Sequence, residues 1–436
     1  MLALTACASS PPADPVIALI TLDTFRADHL GAIGTYERPG DPPSATPNLD
    51  ALAARGRLFR QGVAEVPLTL PSHAGMLTGR SALELGLTAN HHVLPPDART
   101  APQALSDAGW RTGAFVSSAV LRESAGLGRG FDRYDDSLGW RSWLPDPPHE
   151  RDGGDTVDRA LGWLDGASGP TFLWVHLYDP HFPYAPPPPF DGTFDPTAGD
   201  ARGNEVEVRE SLRSARRRLL AFVPRDLRRV VAAYGGEIAW ADHQVGRLLD
   251  ALPEGATVVV AADHGESLTE HGYLLNHGVM LYQPSLHVPI IVAGPAVAPA
   301  VSDAPAPLQR VGPTLRALAG LPPGGETLMD APPEVIESFS TPRHARRALA
   351  KESAWLVSWR EGSEKWIVGS DGGVERYELA VDPGELMDTA PEHPSLEDAR
   401  ARGEAMITRV RAADRSASVD PDGGVREALE ALGYVE

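Results

Sequence analysis

The run Val16-Ile17-Ala18-Leu19-Ile20-Thr21-Leu22, followed by Asp23, decides the fold class of this chain. A nearly continuous apolar run that ends abruptly at a carboxylate is typical of a strand buried on both faces of a parallel sheet. Runs at 257–262 and 171–178 end in the same way, at Asp263-His264-Gly265 and Asp179-Pro180-His181. Weaker runs at 112–116 and 288–292 complete the predicted central sheet.

Helical patterns lie between these runs. One begins at Thr46-Pro47, with Thr46 as the N-cap residue and Pro47 in the first helical position, and stops at Gly56. Another is a stripe of apolar residues three and four apart, made of Ile238, Ala241, Val245, Leu248 and Leu252. Alternating strands and helices predict an α/β protein, a mostly parallel sheet flanked by helices. Ligands of such sheets bind beyond the carboxyl ends of the strands.

We expect three parts along the chain: a tether over 1–14, an α/β catalytic domain over 15–345, and a C-terminal subdomain over 346–436. In the last part, short alternating segments at 354–359, 365–368 and 375–379 are separated by Gly-rich turns. They predict a small antiparallel sheet followed by a charged helix. A stretch rich in Pro, Asp and Gly at 185–200 and a basic stretch at 209–229 together predict a surface insertion.

The overall charge limits the kinds of partner. The 436 residues carry 39 Lys+Arg against 59 Asp+Glu, a formal net charge of −20. Such a chain repels nucleic acid and anionic membrane surfaces except where a local site reverses the sign. We therefore expect no nucleic-acid partner, and no feature of the sequence predicts a protein partner.

The single cysteine lies near the start of the sequence. The segment Leu4-Thr5-Ala6-Cys7, followed by a polar, Pro-rich stretch, resembles a bacterial lipoprotein signal. That resemblance implies a lipidated Cys7 as a membrane tether and a periplasmic or cell-envelope location. The preceding residues 1–3 lack a basic region and an apolar region. Either the chain starts upstream or the match is chance, with Cys7 then a free thiol.

Asp23, Asp263 and His264 follow two predicted strands of one sheet, so we expect them at one edge. Two carboxylates in one crevice repel each other unless a cation lies between them, which predicts a divalent metal site. The alternative is that each Asp caps the helix that follows it. For Asp23 alone that alternative is the better interpretation; for the three residues together the metal is favoured.

Thr69 lies in the segment 67–79, PLTLPSHAGMLTG, whose Pro71 suits the first turn of a helix. We expect Thr69 just ahead of that helix, where unpaired backbone amides favour an anion. A threonine hydroxyl is a poor nucleophile, but metal coordination lowers the pKa of a bound hydroxyl. Taken alone, Thr69 is equally well explained as a helix N-cap.

Six ordered motifs, taken together, resemble the sulfatase branch of the alkaline phosphatase superfamily over about residues 15 to 390. They are LDTFRADH at 22–29, TPNLD at 46–50, TLPSH at 69–73, HFPY at 181–184, DHGE at 263–266 and LYQPSL at 281–286. The resemblance implies an alkaline-phosphatase-like α/β fold and an ester hydrolase that uses one divalent metal ion. Ligand types with one imidazole favour Zn or Mn, with Ca or Mg possible.

The resemblance also implies roles for individual residues. Thr69 would be the nucleophile and, with Asp23, Asp263 and His264, a metal ligand. The transferred group would contact His181 and His277, one of which would protonate the departing alcohol. Substrate binding would also involve Arg26 and His73.

Several positions depart from the sulfatase pattern. Sulfatases make formylglycine from Cys or Ser in a Cys/Ser-x-Pro-Ser-Arg context, whereas this chain has Thr69 and His73 at the first and last of these positions. Threonine cannot become formylglycine. Formylglycine releases sulfate by the collapse of a hemiacetal, and a threonyl sulfate has no such route. Thr24 replaces a second aspartate, and 116–119 replaces a Lys and His pair.

These departures favour a phosphodiester or phosphonate ester over a sulfate ester, with a small-molecule, lipid-linked or glycan alcohol as the leaving group. Two alternatives stay open. One is a transferase of the same superfamily that passes the phospho group to an alcohol. The other is a catalytically degenerate member that binds a glycan or acts as a scaffold.

Overall fold

The computed structural model describes residues 14–34, 45–138, 150–166, 168–192, 194, 224–273, 275–342 and 354–417. The predicted tether with Cys7 and most of the predicted basic insertion lie outside the described residues. Among the helices that are described, none combines the length and the hydropathy needed to cross a bilayer.

Eight strands form the central sheet. In chain order they are β1 (Val16–Leu22), β2 (Arg57–Val63), β3 (Arg111–Val116), β4 (Arg133–Asp135), β5 (Thr171–Leu177), β6 (Thr257–Ala262), β7 (His287–Ala293) and β8 (Ala300–Pro307). The spatial order is β4-β3-β5-β1-β6-β7-β2-β8. Of these strands only β7 is antiparallel to its neighbours, so the predicted mostly parallel sheet is confirmed.

Strand β1 lies at the centre of the sheet, between β5 and β6, and every one of its residues is buried. In register, Leu22 pairs with Leu177 of β5 and with Ala262 of β6. The residues that follow these strand ends, Asp23 and Asp263, therefore emerge side by side at one edge of the sheet.

Helices cover the sheet. They are α1 (Pro47–Arg55), α2 (Thr69–Thr78), α3 (Ala101–Asp107), α4 (Gly153–Leu164), α5 (Pro224–Ala251), α6 (Gln283–Leu286) and α7 (Val311–Leu318). The helix predicted after Thr46 is confirmed as α1. The predicted apolar stripe lies on α5 up to Leu248, whereas Leu252 follows the end of the helix.

Short 3-10 turns connect several of these elements. They are Ala27–His29, Ala119–Leu121, Glu123–Ala125, Phe190–Gly192, Glu270–Gly272, Leu308–Arg310 and Ala390–Glu392.

A second, smaller sheet contains β9 (Ile336–Ser340), β10 (Leu356–Glu361), β11 (Glu364–Gly369) and β12 (Val374–Glu378), all antiparallel, with α8 (Leu396–Ser416) packed on it. The predicted C-terminal sheet is confirmed. Strand β9 was not predicted and lies before residue 346, so the division of the chain at that point stays a prediction. A Cβ at Gly403 would lie 2.4 Å from Val368, and glycine there allows α8 to approach the sheet closely.

A buried ion pair joins the small sheet to the segment that follows the predicted site histidine His277. Lys365 of β11 donates through Nζ to Glu385 Oε1 and to the carbonyl of Leu281, each at 2.5 Å. Glu385 Oε2 accepts from the backbone amide of Gln283. Both charges are buried, and each satisfies a backbone group of the other part of the chain as well.

Candidate metal centre and active site

The carboxyl ends of β1 and β6 bring Asp23, Asp263 and His264 together. Each offers one donor atom, and these atoms all lie within 4.8 Å of one another. All three side chains have no solvent exposure. Three of the four residues predicted as metal ligands thus form one buried cluster.

Charge within this cluster is unbalanced without a cation. Burial and the Asp263 carboxylate raise the pKa of Asp23 well above its ordinary value. Although burial favours the neutral acid, the imidazoles of His264, His73 and His176 hold the pKa of Asp263 below its ordinary value. Burial alone would lower the pKa of His264, but Asp263 and Asp23 raise it.

The polar atoms of the cluster fit a divalent cation. Both carboxylate oxygens of Asp23 and the Oδ2 atom of Asp263 are buried and make no hydrogen bond with a described residue. Buried carboxylate oxygens ordinarily have donors, and leaving them without any is costly. A cation held by these oxygens and by His264 would remove that cost, so the residues present suit the metal that the sequence predicts.

Gly265 allows the chain to leave the cluster tightly. A Cβ at this position would lie 2.0 Å from the carbonyl oxygen of Pro284, and Gly265 N donates to the carbonyl of Ser285. The backbone of α6 therefore packs directly against the chain after His264. No other residue type fits this approach without moving one of the two backbones.

Thr69 is the first residue of α2 and is fully buried beside the cluster. Its Oγ1 lies 3.5 Å from His264 Nε2. Leu68, rather than Thr69, occupies the N-cap position, which leaves the Thr69 hydroxyl for another role. Ser72 Oγ donates to the carbonyl of Asp263 at 2.7 Å, and this bond fixes the start of α2 against the end of β6.

His277 and His181 form one wall beside the cluster. The ring of His277 stacks on that of His264 at a centroid separation of 4.6 Å, and the His181 ring lies edge-on to His277 at 5.0 Å. His181 Nδ1 donates to the carbonyl of Phe182 at 2.6 Å. Burial, with a further effect of His277, lowers the pKa of His181 to about 3, so this imidazole is neutral at pH 7.

Arg26 is engaged by acidic groups of the chain itself. Its guanidinium forms ion pairs with Asp28 at 2.6 Å and Glu270 at 2.8 Å and donates to the carbonyl of Glu266. The Arg26 charge, acting against the cost of burial, holds the pKa of Asp28 well below its ordinary value. The structure therefore places Arg26 near the site but in a network that fixes the loop at 265–270.

His73 is a residue of α2, and its buried ring lies between the start of that helix and β1, with Nδ1 3.6 Å from Asp263 Oδ2. Its Nδ1 bonds to the carbonyl of Thr69 at 2.7 Å and its Nε2 to Thr21 Oγ1 at 3.1 Å. Burial and the nearby His176 lower the pKa of His73 to about 3. These contacts tie the backbone of Thr69 to β1, and the predicted contact of His73 with substrate stays a prediction.

Two buried residues of the site were missed by the sequence analysis. His176 Nε2 lies 3.4 Å from Asp23 Oδ2, and Glu266 Oε1 lies 3.2 Å from His277 Nδ1. His176 is a polar residue inside an otherwise apolar buried strand, and that contrast is the signal that could have revealed it.

Comparisons with known proteins agree with this architecture. A family profile described as Sulfatase matches residues 15–321. An arylsulfatase of Clostridium perfringens is 26% identical, with 85% of this chain and 89% of the relative aligned. Arylsulfatase K of Rattus norvegicus is 25% identical, with 88% and 76% aligned. A phosphonate monoester hydrolase of Agrobacterium radiobacter shares the fold, with a TM-score of 0.69 at 20% identity, 92% of this chain and 96% of that structure being covered.

Proposed function

The chain belongs to the sulfatase family and is a hydrolase acting on ester bonds, and we propose that its nucleophile is the hydroxyl of Thr69. The observation that carries the proposal is the position of Thr69 Oγ1, 3.5 Å from His264 Nε2 at the first residue of a helix. Formylglycine is made from Cys or Ser at this position. Threonine cannot be converted to that aldehyde, so residue 69 keeps its hydroxyl.

We propose a divalent cation bound by Asp23, Asp263, His264 and Thr69, with Zn or Mn preferred over Ca or Mg. Such a cation supplies positive charge that lowers the pKa of a coordinated hydroxyl and offsets charge on the ester group. The buried carboxylate oxygens without hydrogen-bond donors support this assignment.

The reaction then has two steps. In the first, Thr69 Oγ1 forms a bond to phosphorus, the bond from phosphorus to the ester oxygen breaks, and the departing alcohol takes up a proton. In the second, the oxygen of a water molecule forms a bond to phosphorus, the bond from phosphorus to Thr69 Oγ1 breaks, and a proton of that water passes to Oγ1. We propose that His277, which stacks on His264 and bonds to Glu266, forms a hydrogen bond with the transferred group or the leaving oxygen. Neutral His181 suits accepting a hydrogen bond better than giving up a proton.

For the substrate we propose a phosphodiester or phosphonate ester, because water can attack the phosphorus of a phosphothreonine. A threonyl sulfate cannot release sulfate by the hemiacetal collapse that formylglycine allows. A sulfate ester is the second candidate, favoured by the names of the curated relatives, which are arylsulfatases.

A substrate panel separates these candidates. Protein stripped of metal and reloaded with Mn²⁺, Zn²⁺, Ca²⁺ or Mg²⁺ is assayed with 4-nitrophenyl esters of sulfate, phosphate, phenyl phosphate and phenylphosphonate. We expect the highest kcat/KM for the diester and the phosphonate. A higher value for the sulfate would overturn the substrate assignment, and failure to bind any metal would favour the scaffold alternative.

Variants at Thr69 test the nucleophile. Thr69→Ala removes the hydroxyl and is expected to lower kcat by at least about a thousandfold. Thr69→Ser keeps the hydroxyl and serves as the matched control, with activity within about tenfold of the wild type. Rapid acid quenching and mass spectrometry are expected to find the phospho group on residue 69. Activity retained in Thr69→Ala would remove the nucleophile assignment.

We also propose, from the sequence pattern alone, that Cys7 is lipidated and tethers the protein in the cell envelope. Metabolic labelling with a tagged fatty acid, compared between the wild type and Cys7→Ser, tests this location. Label that persists in the variant would contradict it.

A further inference from the structure

Thr24, the residue after the proposed metal ligand Asp23, has a strained backbone. Its φ angle is 50°, in the left-handed region, and its side chain is completely buried. For a β-branched residue this conformation is costly, and such strain persists only where the surrounding structure enforces it. The Thr24 hydroxyl does not enforce it, because this group makes no hydrogen bond with a described residue. The conformation is therefore held through the backbone.

The amide side of Thr24 is bound to the cation site. Thr24 N donates to Asp263 Oδ1 at 3.2 Å, and His264 N donates to the same oxygen at 2.8 Å. The preceding amide, that of Asp23, still continues the sheet by donating to the carbonyl of Leu177 at 2.9 Å. The strained residue thus lies where the chain leaves the sheet and turns its amide to Asp263. Two amides on Oδ1 orient the carboxylate and leave Oδ2 as its oxygen for a cation.

The carbonyl side of Thr24 is bound to a side chain of α5. Tyr234 donates its hydroxyl proton to the carbonyl of Thr24 at 2.7 Å, and the same hydroxyl accepts from the backbone amide of Arg26 at 3.2 Å. The Tyr234 ring is fully buried and in contact with the rings of His29 and Tyr184, which limits the movement of its hydroxyl. One phenol therefore closes the turn that follows Asp23.

We propose that Tyr234 is a positioning residue of the cation site and acts through the strained backbone of Thr24. Its hydroxyl holds the conformation in which the Thr24 amide orients the carboxylate of Asp263. Without this hydroxyl, Thr24 relaxes towards a negative φ, its amide leaves Asp263 Oδ1, and the carboxylate is free to rotate. The inference rests on the proposed cation site, and it extends that site to a residue that binds neither the cation nor the substrate.

Two substitutions test this route from Tyr234 to the cation. Tyr234→Phe removes the hydroxyl and leaves the ring contacts. Thr24→Gly removes the strain, because glycine adopts a positive φ about as readily as a negative one, and it keeps the amide that binds Asp263. The matched control is Tyr134→Phe. Tyr134 lies in the edge strand β4, separated from β1 by two strands, and donates to the carbonyl of Leu121 at 2.5 Å.

Metal affinity is measured by isothermal titration of the metal-free full chain with Zn²⁺ and Mn²⁺. We expect Tyr234→Phe to bind about tenfold more weakly, at the low end of the loss caused by removing a partner of a metal ligand. Tyr134→Phe is expected to bind as the wild type does, although urea unfolding of the metal-free proteins should show similar losses of stability in the two Phe variants. Unchanged affinity in Tyr234→Phe would overturn the inference, as would an equal loss of affinity in Tyr134→Phe.

A double variant tests whether Tyr234 acts through the strain at Thr24. In Thr24→Gly the turn needs no outside bond to keep its conformation, so the further change Tyr234→Phe is expected to weaken binding by less than about threefold. The same loss in the presence of Thr24 and of Gly would show that the strain plays no part, and the inference would be wrong. Asp263→Asn distinguishes the failures: if it binds metal as the wild type does, the proposed cation site itself is wrong.

Discussion

Glu266 Oε1 lies 3.2 Å from Nδ1 of His277. Tyr184 donates to the other oxygen of this buried carboxylate at 3.4 Å. The contact with Glu266 fixes the orientation of the His277 ring, one face of which stacks on the ring of His264. A carboxylate that orients an imidazole in this way acts through it, which makes Glu266 a positioning residue.

Replacing this carboxylate is expected to affect turnover more than binding. Glu266→Gln keeps the shape but removes the charge that holds the Nδ1 proton of His277. We expect kcat to fall about tenfold or more, with KM within about threefold, by analogy with outer-sphere carboxylates of histidine ligands. The control is Glu254→Gln at an exposed position. A change in KM alone would contradict the positioning role.

Asp263→Asn tests how the charge of Asp263 acts on the stability of the metal-free protein. Asp263 Oδ1 accepts from the backbone amides of Thr24 and His264, and an asparagine oxygen can keep both bonds. The new amide nitrogen replaces Oδ2, which makes no hydrogen bond with any residue in the described part of the chain. We expect the metal-free variant to be less stable than the metal-free wild type, because the imidazoles that hold the pKa of Asp263 below its ordinary value favour a carboxylate over a neutral amide.

Added metal should widen the difference in stability between the same two proteins. At a hundred times the dissociation constant, Zn²⁺ or Mn²⁺ raises the free energy of unfolding of the wild type by about 2.7 kcal/mol. Asp263→Asn is expected to gain much less. Urea unfolding with and without metal measures both effects, and equal gains in the two proteins would exclude Asp263 as a ligand.

Arg26 is expected to matter for stability rather than for substrate affinity. Arg26→Met leaves Asp28 and Glu270 without their shared cation, at a cost of about 3 kcal/mol in the free energy of unfolding. We expect KM to stay within about threefold. Arg55→Met, at an exposed site, is the control. A KM increase of tenfold or more at wild-type stability would instead support the substrate contact predicted from the sequence.

The pair of Lys365 and Glu385 is expected to show strong coupling. Lys365→Met leaves a buried carboxylate without its cation and should cost about 3–5 kcal/mol. The double variant Lys365→Met/Glu385→Gln removes both charges and should recover at least half of that loss. Chemical unfolding of the single and double variants gives the coupling energy. Additive losses would show that the two side chains act independently.

His92 predicts a dependence of stability on pH. Burial and the neighbouring His91 lower the pKa of His92 to about 4, whereas an unfolded histidine titrates near 6.5. Between these values the unfolded chain binds more protons than the folded one. The stabilising contribution of neutral His92 is therefore complete above pH 6.5 and is lost as the pH falls towards 4.

His92→Asn isolates this effect, because its oxygen can still accept from the Thr88 amide that now bonds to His92 Nδ1 at 3.1 Å. Between pH 7 and 4 the wild type should lose up to about 3 kcal/mol more stability than the variant. Unfolding curves measured across this range give the difference. Parallel curves for the two proteins would contradict the assigned titration.

The buried strands were predictable because they are local and continuous. The runs that became β1, β5 and β6 contain enough apolar residues in sequence to identify them without any long-range information. Strands β2 and β9 were missed because polar residues interrupt them, and their burial comes from neighbours far along the chain. Propensity in such strands is decided by tertiary contacts.

The sequence by itself determined the strand ends at Asp23 and Asp263, the presence of a hydroxyl at residue 69 and the family to which those motifs point, because each of these depends on residues close together in the chain. Only the tertiary structure decided that Arg26 pairs with Asp28 and Glu270, that the ring of His73 bonds to Thr69 and Thr21, and that His176 borders Asp23. Those relationships depend on which side chains share a buried space, and register between strands separated by more than a hundred residues sets that space.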